Sequence, residues 1–102
     1  RGELLCTFSP VINASDYTAT VVDAASNGQL AQSTSWTLSG DPPQVTFSFD
    51  VMALRPFPKQ YLIGVVATGG DQYIPSAAFF SSAFTVYWGV GYAKVGLTFN
   101  VS

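Results

Sequence analysis

The sequence predicts an all-β fold, an antiparallel β-sandwich of seven or eight strands. Three observations lead there. Apolar residues recur with a period of two rather than the roughly 3.6 of a helix. Turn-forming clusters fall about every 8–14 residues, the spacing of short strands in a sandwich or small barrel. The segments between them are rich in Val, Thr and aromatic residues, which suit a pleated surface.

Leu4–Ser9 reads as the opening strand and Tyr17–Asp23, "YTATVVD", as the second. "SNGQ" (Ser26–Gln29) contains Asn-Gly, the strongest short hairpin signal. Ala31–Leu38, "AQSTSWTL", reads as a third strand with Trp36 and Leu38 on one face. "SGDPP" (Ser39–Pro43) must be a loop, because two prolines cannot donate to a ladder. Gln44–Val51 is the clearest strand: Val45, Phe47, Phe49 and Val51 face one way, and Gln44, Thr46, Ser48 and Asp50 the other. "VMALRP" (Val51–Pro56) can hold a short helical turn before the break at "RPFP". Tyr61–Thr68, "YLIGVVAT", is apolar on both faces, as in a central strand. "TGGDQ" (Thr68–Gln72) marks a turn, and Gln72–Ile74 and Ala83–Trp88 are shorter strand candidates. Val95–Val101 alternates again, with Val95, Leu97, Phe99 and Val101 on one side. The expected core is Val45, Phe47, Phe49, Tyr61, Ile63, Val65, Leu97 and Phe99.

Residues 1–102 are enough for one domain with one core. Only 10% of residues are charged, against about 25% in an average soluble domain. With 48% hydrophobic and 15% aromatic residues, the chain lacks the composition of disorder. The four cations, Arg1, Arg55, Lys59 and Lys94, are scattered, so there is no clustered basic face for nucleic acid or an anionic membrane. No uncharged apolar run reaches the length of about 18 residues that a membrane helix needs. Cys6 is the single cysteine, so no internal disulfide forms, and it is expected to be buried as a small apolar side chain. It does not read as a lipidation site, since Leu5 stands where a small residue is needed.

The chain has no histidine, which removes the usual general base and the commonest metal ligand. Zinc finds only Cys6, and the five aspartates (Asp16, Asp23, Asp41, Asp50, Asp71) lie one per turn or strand end, without calcium-loop spacing. No catalytic residue, metal or cofactor is expected, and the function is expected to be binding. "GVG" (Gly89–Gly91) has no following helix and reads as a kink or bulge rather than a phosphate loop. "NAS" (Asn13–Ser15) and "NVS" (Asn100–Ser102) fit the short glycosylation pattern.

One stretch stands apart. Ser76–Tyr92, "SAAFFSSAFTVYWGVGY", holds six aromatic rings and no charge. Phe84, Val86 and Trp88 share one face if it is extended, and the consecutive Phe79 and Phe80 point opposite ways, so at least one faces outward or meets a second layer. Exposed apolar rings mark a contact site. The candidate partner-binding residues are Phe79, Phe80, Tyr87, Trp88 and Tyr92.

The order of features carries a resemblance. Val21–Asp23, Leu30–Ala31, Gly40–Phe47, Tyr61–Ala67, Gly69–Asp71 and Tyr73–Ser76 hold the places of a V-x-D strand, an l-A strand, a g-x-x-x-P-x-x-F segment, a Y-x-l-x-a-x-i strand, a Gly-Asp turn and y-x-s. Phe84–Val101 corresponds to a closing apolar strand, glycine turn and alternating strand. In this order the chain resembles the YbaY/YscW-type lipoprotein domain over nearly its whole length. Aromatics between Ala77 and Tyr92, where that family more often has polar residues and a proline, suit its specialised branch, the type III secretion pilotins of the YscW/ExsB type. The resemblance implies a small β-sandwich lipoprotein on the periplasmic face of the bacterial outer membrane, with signal peptide and lipid anchor upstream of this chain. It would act like a chaperone, binding the C-terminal region of a secretin and assisting its localisation and assembly. Two other classes fit the composition: a structural or adhesive extracytoplasmic module, and a small-ligand or glycan binder using Trp36, Trp88 and nearby tyrosines.

Overall fold

The computed structural model describes residues 2–55, 59–69, 79–86 and 92–97, and only the backbone at 92–94 and 97. Within these the protein is all-β, as the sequence predicts. Nine strands form two sheets: β1 (Glu3–Phe8), β2 (Ala14–Asp23), β3 (Gln29–Ser33), β4 (Thr37–Ser39), β5 (Gln44–Asp50), β6 (Lys59–Gly69), β7 (Phe79–Phe80), β8 (Phe84–Val86) and β9 (Tyr92–Leu97). The first sheet runs β4-β5-β1-β9; the second runs β3-β2-β6-β7, with β8 also on β6.

Alternation builds the interior. From the first sheet, Leu4, Cys6, Phe8, Val45, Phe47 and Phe49 are buried; from the second, Tyr17, Ala19, Val21, Tyr61, Ile63, Val65 and Ala67. Each fully buried side chain of this size contributes roughly 1.5–3 kcal/mol. Six of the eight expected core residues are therefore in place; the side chain of Leu97 and all of Phe99 lie outside the described residues. Phe8 links the sheets, stacking 6.3 Å from Phe47 and meeting Tyr17 edge-on at 5.3 Å. Both buried tyrosines spend their hydroxyls on the backbone: Tyr17 Oη accepts from Val11 N at 2.9 Å, and Tyr61 Oη donates to the Leu54 carbonyl at 2.7 Å. Leu54 closes a single 3-10 turn, Val51–Leu54, where the helical turn was expected, and Asp50 caps it by accepting from Met52 N at 2.9 Å. Cys6 is buried, and burial pushes its thiol up to about 12, well out of the reactive range.

Several expectations need correction. Among the described residues there are nine strands where seven or eight were expected, and one pair is not antiparallel: β9 runs parallel to β1, from Glu3 opposite Tyr92 to Phe8 opposite Leu97. A strand entering a sheet by crossover from the opposite layer, rather than by a hairpin, is free to take that direction. The predicted strand Ala31–Leu38 is two strands in different sheets. Local hydrogen bonds interrupt it: Ser35 N donates to Ser33 Oγ at 3.0 Å, and such side-chain bonds compete with the ladder. Phe79–Phe80 forms a short strand that periodicity does not announce. The Gln72–Ile74 candidate, most of the Thr68–Gln72 turn and the Gly89–Gly91 kink lie outside the described residues.

β6 is central in the second sheet, with β2 antiparallel on one side over nine aligned pairs from Ala14–Gly69 to Asp23–Tyr61. Its other side is served in pieces. β8 covers Lys59–Tyr61, and β7 covers Gly64 and Val65. Between them, buried Ser81 donates its N–H to the Ile63 carbonyl at 2.8 Å and accepts from Ile63 N through Oγ at 3.0 Å. One serine side chain thus substitutes for a missing ladder carbonyl.

Truncating Phe47 to Ala removes the ring at the centre of this interior, and denaturant unfolding should show a loss of about 3–5 kcal/mol. Ser81→Ala leaves the buried Ile63 N–H unpaired, and the same measurement should show a loss of about 1–3 kcal/mol.

Candidate functional site

The outer face of the second sheet carries the candidate site. The residues of β2 that alternate with its core residues are Thr18, Thr20 and Val22, all half-buried. Those of β6 on the same face include Leu62, Gly64 and Val66, opposite Val22, Thr20 and Thr18 respectively. One cross-strand row spans four strands: Gln32 of β3 is opposite Thr20 of β2, Thr20 is opposite Gly64 of β6, and Gly64 is opposite Phe80 of β7.

The glycine decides the shape of that row. With no side chain at position 64, the Phe80 ring lies down over the β6 backbone. A Cβ added to Gly64 would fall 2.7 Å from Phe80 Cε1. An aromatic ring covering a strand glycine in this way shields the exposed backbone below it. Phe80 nevertheless stays 58% exposed. Beside it runs a trough of about 240 Å³ lined by Thr18, Thr20, Val22, Gln32, Gly64, Val66 and Phe80. Gln32 Nε2 donates to Thr20 Oγ1 at 3.3 Å, tying down the polar end. No lining residue carries a charge. What the trough offers is apolar contact, an aromatic platform and a few hydroxyl and amide groups.

The aromatic stretch of the sequence is divided by the fold. Phe80 faces outward at the trough. Phe79, opposite Val65, is half-buried. Phe84 packs on Tyr61, with ring centroids 5.8 Å apart, and Val86 is buried. Tyr92 opens β9 in the first sheet, so it does not share a sheet with Phe80; its side chain, and the whole of Tyr87 and Trp88, lie outside the described residues. Among the described candidates, Phe79 and Phe80 therefore lie on opposite faces of β7, and the backbone of Tyr92 belongs to the other sheet. Thr18, Thr20, Gln32, Gly64 and Val66 were not foreseen. The lone glycine inside "YLIGVVAT" was the usable signal, since a glycine in a strand marks close approach of another group.

A second aromatic group lies where the chain passes from β3 to β4. Trp36 meets Tyr17 edge-on at 5.1 Å and donates Nε1 to Asp16 Oδ1 at 2.7 Å. The same oxygen accepts from Tyr17 N at 2.9 Å. The bond from Trp36 first, and that from the Tyr17 backbone second, hold the Asp16 carboxyl below its usual value. At the other end of β2, Asp23 pairs with Lys59 at 3.0 Å, which likewise lowers its carboxyl. Both carboxylates are engaged in holding strands together. Among the described residues, no three His, Cys, Asp or Glu side chains are grouped to hold a metal ion.

No family model matches the chain, nor does any curated protein or any solved structure.

Asp16 makes the Trp36 anchor pH-dependent. A carboxyl lowered in the folded state stabilises it fully above the ordinary carboxylate value of about 3.9 and loses that contribution as pH falls through the lowered value. Thermal unfolding of a Trp88→Phe background should show Asp16→Ala less stable at neutral pH. The gap should close at strongly acid pH, and Trp36 fluorescence should report the release.

Proposed function

We propose that this domain works by binding rather than catalysis, as a pilotin-like lipoprotein that docks the C-terminal region of a type III secretion secretin. The carrying observation is Phe80: a ring 58% exposed, laid on Gly64 at the edge of an uncharged trough, on a sheet face that a monomer usually gives to polar side chains. A secretin tail that is unfolded when free loses conformational freedom on docking. Burying a few apolar anchors offsets that cost, and aromatic residues are favoured at such positions. In this reading Phe80 provides the platform, Gly64 sets its pose, and Thr18, Thr20 and Gln32 supply the hydrogen bonds that orient the bound segment. A lipid anchor upstream would hold the domain at the periplasmic face of the outer membrane, where the secretin assembles. The resemblance in the order of strands and turns supports the choice of partner.

The glycan-binding alternative rested on Trp36, Trp88 and nearby tyrosines. Trp36 already commits its Nε1 to Asp16 and packs on Tyr17, so its polar tip is taken; Trp88 lies outside the described residues. A structural or adhesive module remains the other class, and it predicts no affinity for a secretin tail.

Calorimetric titration of a secretin C-terminal peptide distinguishes these. Phe80→Ser should weaken binding by about 2 kcal/mol, roughly 30-fold, with little change in the thermal midpoint. Gly64→Ala should act in the same direction, because the new methyl displaces the Phe80 ring, an exposed group that is free to swing away. Binding through an uncharged trough should also be nearly insensitive to salt. Unchanged affinity in both variants would sink the assignment of this face.

A further inference from the structure

The turn between β2 and β3 contains a chemistry that the binding role does not use. Asn27 and Gly28 are both exposed at its tip, and Asn27 adopts φ 59. Two backbone bonds close the turn: Asn27 N donates to the Asp23 carbonyl at 2.7 Å, and Asp23 N donates to the Gly28 carbonyl at 2.9 Å. The Gly28 nitrogen is different. Its hydrogen bond runs to the exposed Ser26 Oγ at a long 3.2 Å, not to a ladder carbonyl. This nitrogen directly follows an exposed asparagine side chain and carries no Cβ beside it to obstruct approach.

We propose that Asn27 is a site of spontaneous covalent modification, deamidating through a succinimide. The Gly28 amide gives up its proton to water or hydroxide, and its nitrogen attacks Asn27 Cγ. The N–Cγ bond forms, the Cγ–Nδ2 bond breaks, and ammonia leaves with the proton it needs. Water then opens the five-membered ring at either carbonyl, leaving an aspartyl or an isoaspartyl linkage at position 27. Nothing is oxidised or reduced, and water is the only co-reactant. Both products put a carboxylate four residues from Asp23, which already engages Lys59. The isoaspartyl product also adds a methylene to the main chain inside the loop spanned by the Asp23–Gly28 bond. The strain falls next to Val22, which lines the trough and lies at an existing register irregularity between β2 and β3. The site would thus age one wall of the trough, and it does so whatever that trough binds.

The protein carries its own reference. Asn13 is also exposed and also has positive φ, 67. It is followed by Ala14, which has a Cβ and whose nitrogen is held by the Val11 carbonyl at 3.1 Å. The full chain is incubated in mildly alkaline buffer and sampled by peptide mapping with mass spectrometry and by isoaspartyl methyltransferase labelling. Deamidation, a gain of about one mass unit, should accumulate at Asn27 and not at Asn13. Gly28→Ala, whose new methyl meets only Ser26 Oγ at 3.2 Å, should remove most of that gain. Asn27→Gln should remove it too, with circular dichroism confirming the strand signal in each variant. Equal modification at Asn13 and Asn27, or wild-type ageing in both variants, overturns the proposal.

Discussion

The two sheets share one dry layer, and every other feature depends on it. Phe8, Phe47 and Phe49 come from the first sheet, and Tyr17, Tyr61, Ile63 and Val65 from the second. Because a strand's side chains alternate, committing these residues inward commits their neighbours outward. Thr18, Thr20, Val22, Gly64 and Val66 face away because Tyr17, Ala19, Val21, Ile63 and Val65 face in. The trough is thus the obligatory reverse of the core. A one-residue slip of β2 against β6 would turn Thr18 and Thr20 inward and expose Tyr17, Ala19 and Val21, and the nine aligned pairs of that ladder resist it.

Polar groups are placed so that this layer stays dry without strain. The tyrosine hydroxyls that enter it end on backbone atoms, and Ser81 supplies the acceptor that Ile63 N would otherwise lack. Among the described residues, no buried side-chain nitrogen or oxygen is without a partner. That matters in a chain with so few charges, because an unpaired buried polar group costs more than a typical hydrogen bond contributes. Cys6 fits the same logic: buried in the interior, with its thiol kept protonated, it serves as a small apolar side chain.

The passage from β3 to β4 shows how a short segment can join the two sheets. Residues 34–36 leave the second sheet and deliver Thr37 to the first. Trp36 closes the side of the sandwich there, its ring against Tyr17 and its Nε1 on Asp16. The alternation that suggested one long strand survives from Ala31 to Ser33 in β3, whereas all three residues of β4 are exposed. A continuous strand, however, cannot serve two sheets, and the Ser33–Ser35 hydrogen bonds take the backbone out of the ladder at that point.

The sequence by itself determined the class of fold, most strand positions, the Asn-Gly hairpin, the 3-10 turn after β5 and the inward set of β5 and β6. These follow from local rules: alternation sets a face, and glycine, proline and asparagine set turns. It also suggested that one of the consecutive Phe79 and Phe80 must face out. Only the tertiary structure decided which one, because that depends on β7 aligning Phe80 with Gly64 and Phe79 with Val65. The parallel entry of β9 and the row from Gln32 through Thr20 and Gly64 to Phe80 were likewise settled by pairing between strands distant in the chain. A period of two says which way a side chain points. It does not say which strand lies next to it, and the trough exists only where four strands bring their outward residues into register.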